Sequence, residues 1–127
     1  MTSTYTAEYY RSHWEDYMKP VPGNDYINLE GDLKKQMETY EEALKSFPEE
    51  IREKNLAIIR QQKAKTMAET TTAKLKETMA MIKRIKAGNA SLGYTTWNQE
   101  YSAMRELVDR FEFNCLQLAD FRKKYSV

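Results

Sequence analysis

The chain has 127 residues, 31% charged and 41% hydrophobic, and its 20 basic and 19 acidic side chains leave a net charge of +1. A single cysteine excludes both an intramolecular disulfide and a zinc site built from several cysteines. No apolar run is long enough to predict a membrane-spanning helix, and the first residues lack a secretory signal pattern. We therefore expect a protein that is not secreted, located in the cytoplasm or within a macromolecular assembly, with no membrane partner.

The apolar residues recur at spacings of three and four, which predicts an all-α fold. The few glycines and prolines divide the chain at three places, Pro20–Gly23, Pro48 and Gly88–Gly93. We predict a single helical domain over residues 1–127, in which an aromatic-rich segment, 1–26, contains a short helix from about Thr6 to Met18. The three main helices are predicted over 28–46, 48–87 and 97–124.

Local motifs predict where the main helices begin and end. Asn28 is a good N-cap for the first of them. Ser46 and Glu49 form one predicted capping box and Thr96 and Gln99 a second, because in each pair a hydroxyl residue precedes Glu or Gln by three positions. Gly88 follows the last apolar residues of the long helix and predicts its C-terminus.

The predicted helix over 48–87 is too long for a compact globule. At 1.5 Å per residue it measures about 60 Å, whereas a compact chain of this length has a diameter of roughly 36 Å. Its apolar residues also change face, from Ile51, Asn55 and Ile58 to the side that carries Ala64 through Ile85. We predict an elongated antiparallel arrangement in which helix 28–46 covers the first face and helix 97–124 the second. Thr70–Thr72 is the stretch least favourable to a continuous helix.

The last helix carries an apolar stripe that includes Trp97, Tyr101, Phe111 and Cys115. Phe113 and Leu116 lie away from the centre of this stripe. Their position predicts that the helix buries more than one face. Because Cys115 lies on the stripe, we expect an inert, buried thiol.

The sequence offers little for catalysis. His13 is the single histidine, and a nucleophile needs a neighbouring base and an orienting group. His13 and Asp16 are spaced to contact one metal ion, but no third ligand accompanies them. The chain lacks a glycine-rich phosphate loop and the Glu-x-x-His motif of di-iron bundles. We therefore predict no enzymatic activity, no cofactor and no metal site.

The small net charge conceals an uneven distribution. Residues 1–50 carry five basic and eleven acidic side chains, residues 51–90 carry ten and three, and residues 91–127 carry five of each. The basic segment has three interpretations: a solvated or intrachain face, a contact with a protein partner or a second copy of the chain, or a nucleic-acid contact made through phosphates. The candidate contact residues are Arg52, Lys54, Arg60, Lys63, Lys65, Lys74, Lys76, Lys83, Arg84 and Lys86.

Five of the nine tyrosines lie in the first 26 residues, with Trp14 among them. Tyrosine and tryptophan are favoured at protein interfaces because they bury a large area and keep a polar tip. The segment is therefore predicted either to dock on a partner or to form a local core against the helix over 28–46. The candidate interface residues are Tyr5, Tyr9, Tyr10, Trp14, Tyr17, Tyr26, Phe113 and Leu116.

Together these features predict a non-enzymatic structural or assembly subunit of a larger protein complex, such as a viral particle or a large cellular machine. Its partners would be other protein subunits, further copies of itself, or both. The alternative is a nucleic-acid-associated helical protein that contacts phosphates through the basic segment 52–86.

Overall fold

A computed structural model describes residues 5–18 and 27–127, and every regular element in those ranges is an α-helix. The predicted all-α fold with three main helices is confirmed. The predicted break at Pro20–Gly23 and the candidate interface residue Tyr26 lie outside the described residues. In chain order the helices are α1 (Ala7–Ser12), α2 (Trp14–Tyr17), α3 (Leu29–Ala43), α4 (Glu49–Lys86) and α5 (Trp97–Tyr125).

The short N-terminal helix is divided into α1 and α2 at His13. Thr6 caps α1, since its side chain accepts a hydrogen bond from the backbone N–H of Tyr9. His13 leaves the helical region, with φ −110° and ψ 27°, and its Nδ1 lies 2.9 Å from the carbonyl oxygen of Tyr9. The break redirects the chain so that α1 and α2 present different aromatic side chains to α5.

The predicted capping box at Ser46 is wrong. Helix α4 begins at Glu49 with Pro48 as its N-cap, and no side chain caps it. The physical reason is the proline, because its ring disfavours the helical conformation for the residue before it, here Phe47. Ser46 therefore lies in the turn between α3 and α4.

The other predicted caps, Asn28, Thr96 and Gly88, are confirmed, whereas α3 ends at Ala43 and not at residue 46. Asn28 accepts a hydrogen bond from the N–H of Gly31 at 3.0 Å, and Thr96 accepts one from the N–H of Gln99 at 3.1 Å. Helix α4 ends in a Schellman motif, in which Gly88 has a φ of +80° and the N–H of Asn89 donates to the carbonyl of Arg84.

Helix α4 is continuous over 38 residues, which corresponds to a length of about 57 Å. It passes through Thr70–Thr72 without interruption. Thr71 is buried in the core, and the hydroxyl of Thr72 donates to the carbonyl of Ala68 at 2.7 Å. The threonines are thus accommodated by burial and by a hydrogen bond to the preceding turn.

Helices α3 and α5 both run antiparallel to α4, and the beginning of α3 contacts the last third of α5. The main core lies where the three helices overlap. Ala64 and Ala68 are fully buried, and their small side chains allow close approach of the neighbouring helices. The other core residues are Ile27, Leu29, Leu33, Met37, Leu56, Leu75, Ile82, Leu107, Phe111 and Phe121.

The prediction that α3 covers Ile51, Asn55 and Ile58 is wrong, since all three side chains are exposed. Helix α3 instead packs near Leu56, on the side of α4 that also faces α5. Because α3 and α5 contact each other, both must lie on the same side of α4. The opposite side of its first three turns is left open.

Helix α5 is rotated relative to its predicted stripe. Its buried residues on the main core are Leu107, Phe111, Asn114, Gln117 and Phe121. The prediction of a buried Cys115 is wrong, because that residue is exposed at the rim of a groove between α4 and α5. The groove removes part of the water around the sulfur, and this desolvation, with the nearby carboxylate of Glu112, raises the pKa of the Cys115 thiol.

Candidate protein-contact surfaces

Segment 5–18 forms a second core against α5, which we call the N-terminal aromatic cluster. Its buried residues are Tyr10, Tyr17 and Phe113. The ring of Phe113 stacks on Tyr17 with centroids 4.7 Å apart, and Trp14 meets it edge-on at 4.9 Å. The remaining members are Tyr9, Trp14, Met18 and Leu116.

About one turn of α5, residues 109–112, holds this segment by its polar atoms. One oxygen of Asp109 accepts a hydrogen bond from Tyr17 at 2.8 Å. The single hydroxyl proton of Tyr10 is shared between the other oxygen of Asp109 (3.0 Å) and Glu112 (2.8 Å). Arg110 donates to the backbone carbonyl of Tyr17 at 2.6 Å and lies over its ring. Each buried phenol therefore has a charged partner, which makes its hydrogen bonds stronger than neutral ones.

Sequence reasoning missed Asp109, Arg110 and Glu112 as anchors of the aromatic segment. The available signal was Phe113, an aromatic residue off the main stripe with two acidic residues one helical turn or less before it. A buried tyrosine hydroxyl needs an acceptor, and a second apolar face that carries carboxylates supplies one.

The structure therefore divides the predicted interface residues into two groups. Tyr10, Tyr17 and Phe113 are buried within the chain. Tyr5 stacks on Tyr9 with centroids 4.1 Å apart at the outer edge of the cluster, where both retain exposed surface. The two other predicted interface residues, Trp14 and Leu116, are partly exposed.

The buried phenols lead to a pH prediction. Burial, and then hydrogen bonding to Asp109 and Glu112, raises the pKa of Tyr10 above its ordinary value of 10.0, and burial with Asp109 does the same for Tyr17. A raised folded-state pKa means that docking of the segment is fully stabilised below pH 10 and is weakened as the pH rises further. In an ultraviolet titration, Tyr10→Phe should leave the phenolate absorbance gained around pH 10 unchanged. A loss of amplitude there would contradict the burial of Tyr10.

The basic residues of α4 also have different environments. Lys54, Lys65, Lys76 and Lys83 are exposed, and their spacings of 11, 11 and 7 place them near one face of the helix. Lys63 is half-buried, with its ammonium 5.4 Å from the centre of the Tyr40 ring on α3. Among the other basic candidate residues, Lys74, Arg84 and Lys86 are exposed. Arg52 and Arg60 are half-buried.

Large apolar side chains are exposed at both ends of the α4 rod. We call the first group the hairpin end; it lies on the α3–α4 turn and the first turns of α4. We call the second group the loop end; it lies where the 87–96 loop joins α4 to α5. The hairpin end consists of Phe47, Ile51 and Ile58, and the loop end of Met81, Tyr94, Trp97 and Tyr101.

The loop end is rigidly built. Trp97 is 74% exposed and stacks on Tyr101 with centroids 5.1 Å apart and rings 10° from parallel. Glu100 fastens the preceding loop, because its carboxylate accepts hydrogen bonds from the N–H groups of Leu92 and Tyr94 and from the Ser91 hydroxyl. These bonds, that from Leu92 first, lower the pKa of Glu100. The carboxylate is thus held ionised by the loop that it organises.

Comparison of the chain with protein-family models, curated proteins and solved structures gives no match. Among the helices of residues 5–18 and 27–127, none combines the length and the apolar character needed to cross a membrane. The same ranges hold no group of three or more histidine, cysteine or acidic side chains placed to bind a metal ion.

Proposed function

We propose that this protein is a non-enzymatic structural subunit that binds other protein chains through exposed apolar side chains on its helices. The observation that carries the proposal is the loop end, where Trp97, 74% exposed, stacks on Tyr101, 49% exposed. Tryptophan and tyrosine are enriched among the residues that contribute most to binding energy at interfaces. An exposed aromatic pair that covers no core of its own chain is therefore suited to a partner.

Rigidity at the loop end supports the same proposal. The carboxylate of Glu100 fixes the backbone at Leu92 and Tyr94, and the Trp97 and Tyr101 rings restrain each other by stacking. A surface that is already ordered loses less conformational entropy when it binds. We infer that this end contacts a partner without rearranging.

The N-terminal aromatic segment has a smaller role in this proposal than its composition indicates. Tyr10 and Tyr17 are satisfied by α5 of the same chain, so they contribute to the contact surface only by positioning their neighbours. The outer edge, with Tyr5, Tyr9 and Trp14, is the part available to a partner.

The proposal is tested by measuring the size of the complexes that contain the tagged chain in its own cells. We expect complexes larger than the monomer that persist at high salt, because the contact is mainly apolar. The double variant Trp97→Ser, Tyr101→Ser should reduce recovery of those complexes about tenfold or more. The matched control is Gln61→Ser, Gln62→Ser, which changes two exposed side chains in the middle of α4, away from both ends. A wild-type chain that is monomeric in cells would contradict the proposal.

A second candidate function rests on the exposed lysines of α4. Lys54, Lys65, Lys76 and Lys83 extend along about 43 Å of one face, which suits a run of phosphates. Nucleic-acid binding by this face would lack base stacking, because no aromatic residue lies between Phe47 and Tyr94. Affinity for nucleic acid that falls steeply with salt and is lost on Lys65→Gln, Lys76→Gln would favour this candidate. Affinity unchanged in that variant would exclude it.

A further inference from the structure

The two exposed ends of the rod carry opposite charge. Residues 38–54, around the hairpin end, hold six acidic and three basic side chains, for a net charge of −3. Residues 81–105, around the loop end, hold four basic and one acidic side chain, for a net charge of +3. The single acid in the second range is Glu100, whose carboxylate is already bound by its own loop.

Both ends also expose apolar side chains of similar extent. At the hairpin end, Phe47, Ile51 and Ile58 are each about half exposed. Ile51 and Ile58 are seven residues apart on α4 and share one face, and Phe47 lies in the turn before the helix. At the loop end, the stacked rings of Trp97 and Tyr101 form the exposed apolar surface. Each end therefore combines exposed apolar side chains with a net charge opposite to that of the other end.

The chain cannot join its own ends. Ile51 and Met81 lie on the same continuous helix, 30 residues apart, and thus about 45 Å from each other. Any contact between a hairpin end and a loop end must be made between two molecules. When two molecules make one such contact, one end of each kind stays free, so the contact repeats to give an open filament or a closed ring.

We propose that the partner at the loop end is the hairpin end of a second copy of this chain, and that the protein assembles head to tail. This inference rests on the proposed function and gives it a specific partner. The apolar side chains of the hairpin end pack against Trp97 and Tyr101, while Glu49 and Glu50 face Lys83 and Arg84. The same charges also offset the dipole of α4, so the tests below alter the apolar residues and leave the charges in place.

The experiment is sedimentation velocity on the purified full chain from about 5 to about 500 µM, a range that covers interfaces at the small end of the size scale. We expect the mean mass to rise with concentration beyond that of a dimer. Association should weaken only moderately at high salt, because the complementary charges are screened while the apolar contact is kept. A wild-type chain that stays monomeric throughout would overturn the proposal.

Two variants, each altered at one end, make the test specific. Ile51→Ser, Ile58→Ser removes the hairpin end, and Trp97→Ser, Tyr101→Ser removes the loop end; all four side chains are exposed, so both variants should fold as the wild type does. Each variant alone should associate at least about tenfold more weakly. A mixture of the two should form dimers and nothing larger, because one intact hairpin end meets one intact loop end.

The other outcomes contradict head-to-tail assembly. If either variant alone still dimerises like the wild type, its altered end is not used. If Tyr5→Ser abolishes association, the N-terminal segment is the contact. If the purified chain is monomeric but the cellular complexes persist and depend on Trp97 and Tyr101, the proposed function stands and this inference fails.

Discussion

Replacing Gln117 by leucine should lower the free energy of unfolding by about 2–6 kcal/mol. The side chain is buried, and its amide joins two elements: its oxygen accepts from the N–H of Leu29 and its nitrogen donates to the carbonyl of Ile27 at 2.9 Å. The N–H of Leu29 belongs to the first turn of α3, where helical N–H groups lack intrahelical partners. Leucine of similar size leaves both backbone groups buried and unpaired, at a cost of about 1–3 kcal/mol each.

Chemical denaturation of Gln117→Leu measures this cost directly. The matched control is Gln61→Leu, an exposed position on α4 where the same substitution should change stability by less than about 0.5 kcal/mol. If Gln117→Leu is as stable as Gln61→Leu, the backbone at residues 27–29 does not depend on α5.

Replacing Phe113 by alanine should release the N-terminal aromatic segment from α5. The Phe113 ring is fully buried among Tyr10, Trp14 and Tyr17, and removing a buried phenylalanine costs about 3–5 kcal/mol. Its contacts lie in the second core, so the loss should appear as local opening of segment 5–18. A cost of 3 kcal/mol raises the open population about 100-fold.

The measurement is the rate of tryptic cleavage after Arg11 together with hydrogen exchange of the α1 amides. Both should increase about 100-fold in Phe113→Ala, while amides around Ile82 in the main core keep their protection. Phe113→Leu is the control, because it retains most of the apolar volume and should open the segment far less. If the amides near Ile82 lose protection to the same degree, the two cores unfold as one unit.

Much of the fold follows from the sequence because its signals are local. Asn28, Thr96 and Gly88 act on hydrogen bonds within one helical turn, and the spacing of apolar residues identifies the three main helices. The capping box at Ser46 failed for an equally local reason, since Pro48 constrains the residue before it. Helix boundaries of this kind can be predicted where the competing local preferences are weighed together.

The contact surfaces could not be predicted in the same way, because they depend on how the helices are rotated against each other. Trp97 and Tyr101 extend the apolar stripe of α5 in sequence, but that stripe reaches beyond the part that faces α4, so they are exposed. Phe113 lies off the stripe and is completely buried. Periodicity shows which residues share a face, and only packing shows which faces are covered.

Helix α5 contributes Phe111 and Phe121 to the main core and Phe113 to the aromatic cluster, and Gln117 caps the start of α3. All of these contacts join residues far apart in the chain. On a ribosome, α3 and α4 could therefore cover only part of each other's apolar surface, and neither core could close until α5 had left the exit tunnel. We therefore expect the protein to complete its folding only after α5 has been synthesised, because α4 lacks its main packing partner until then.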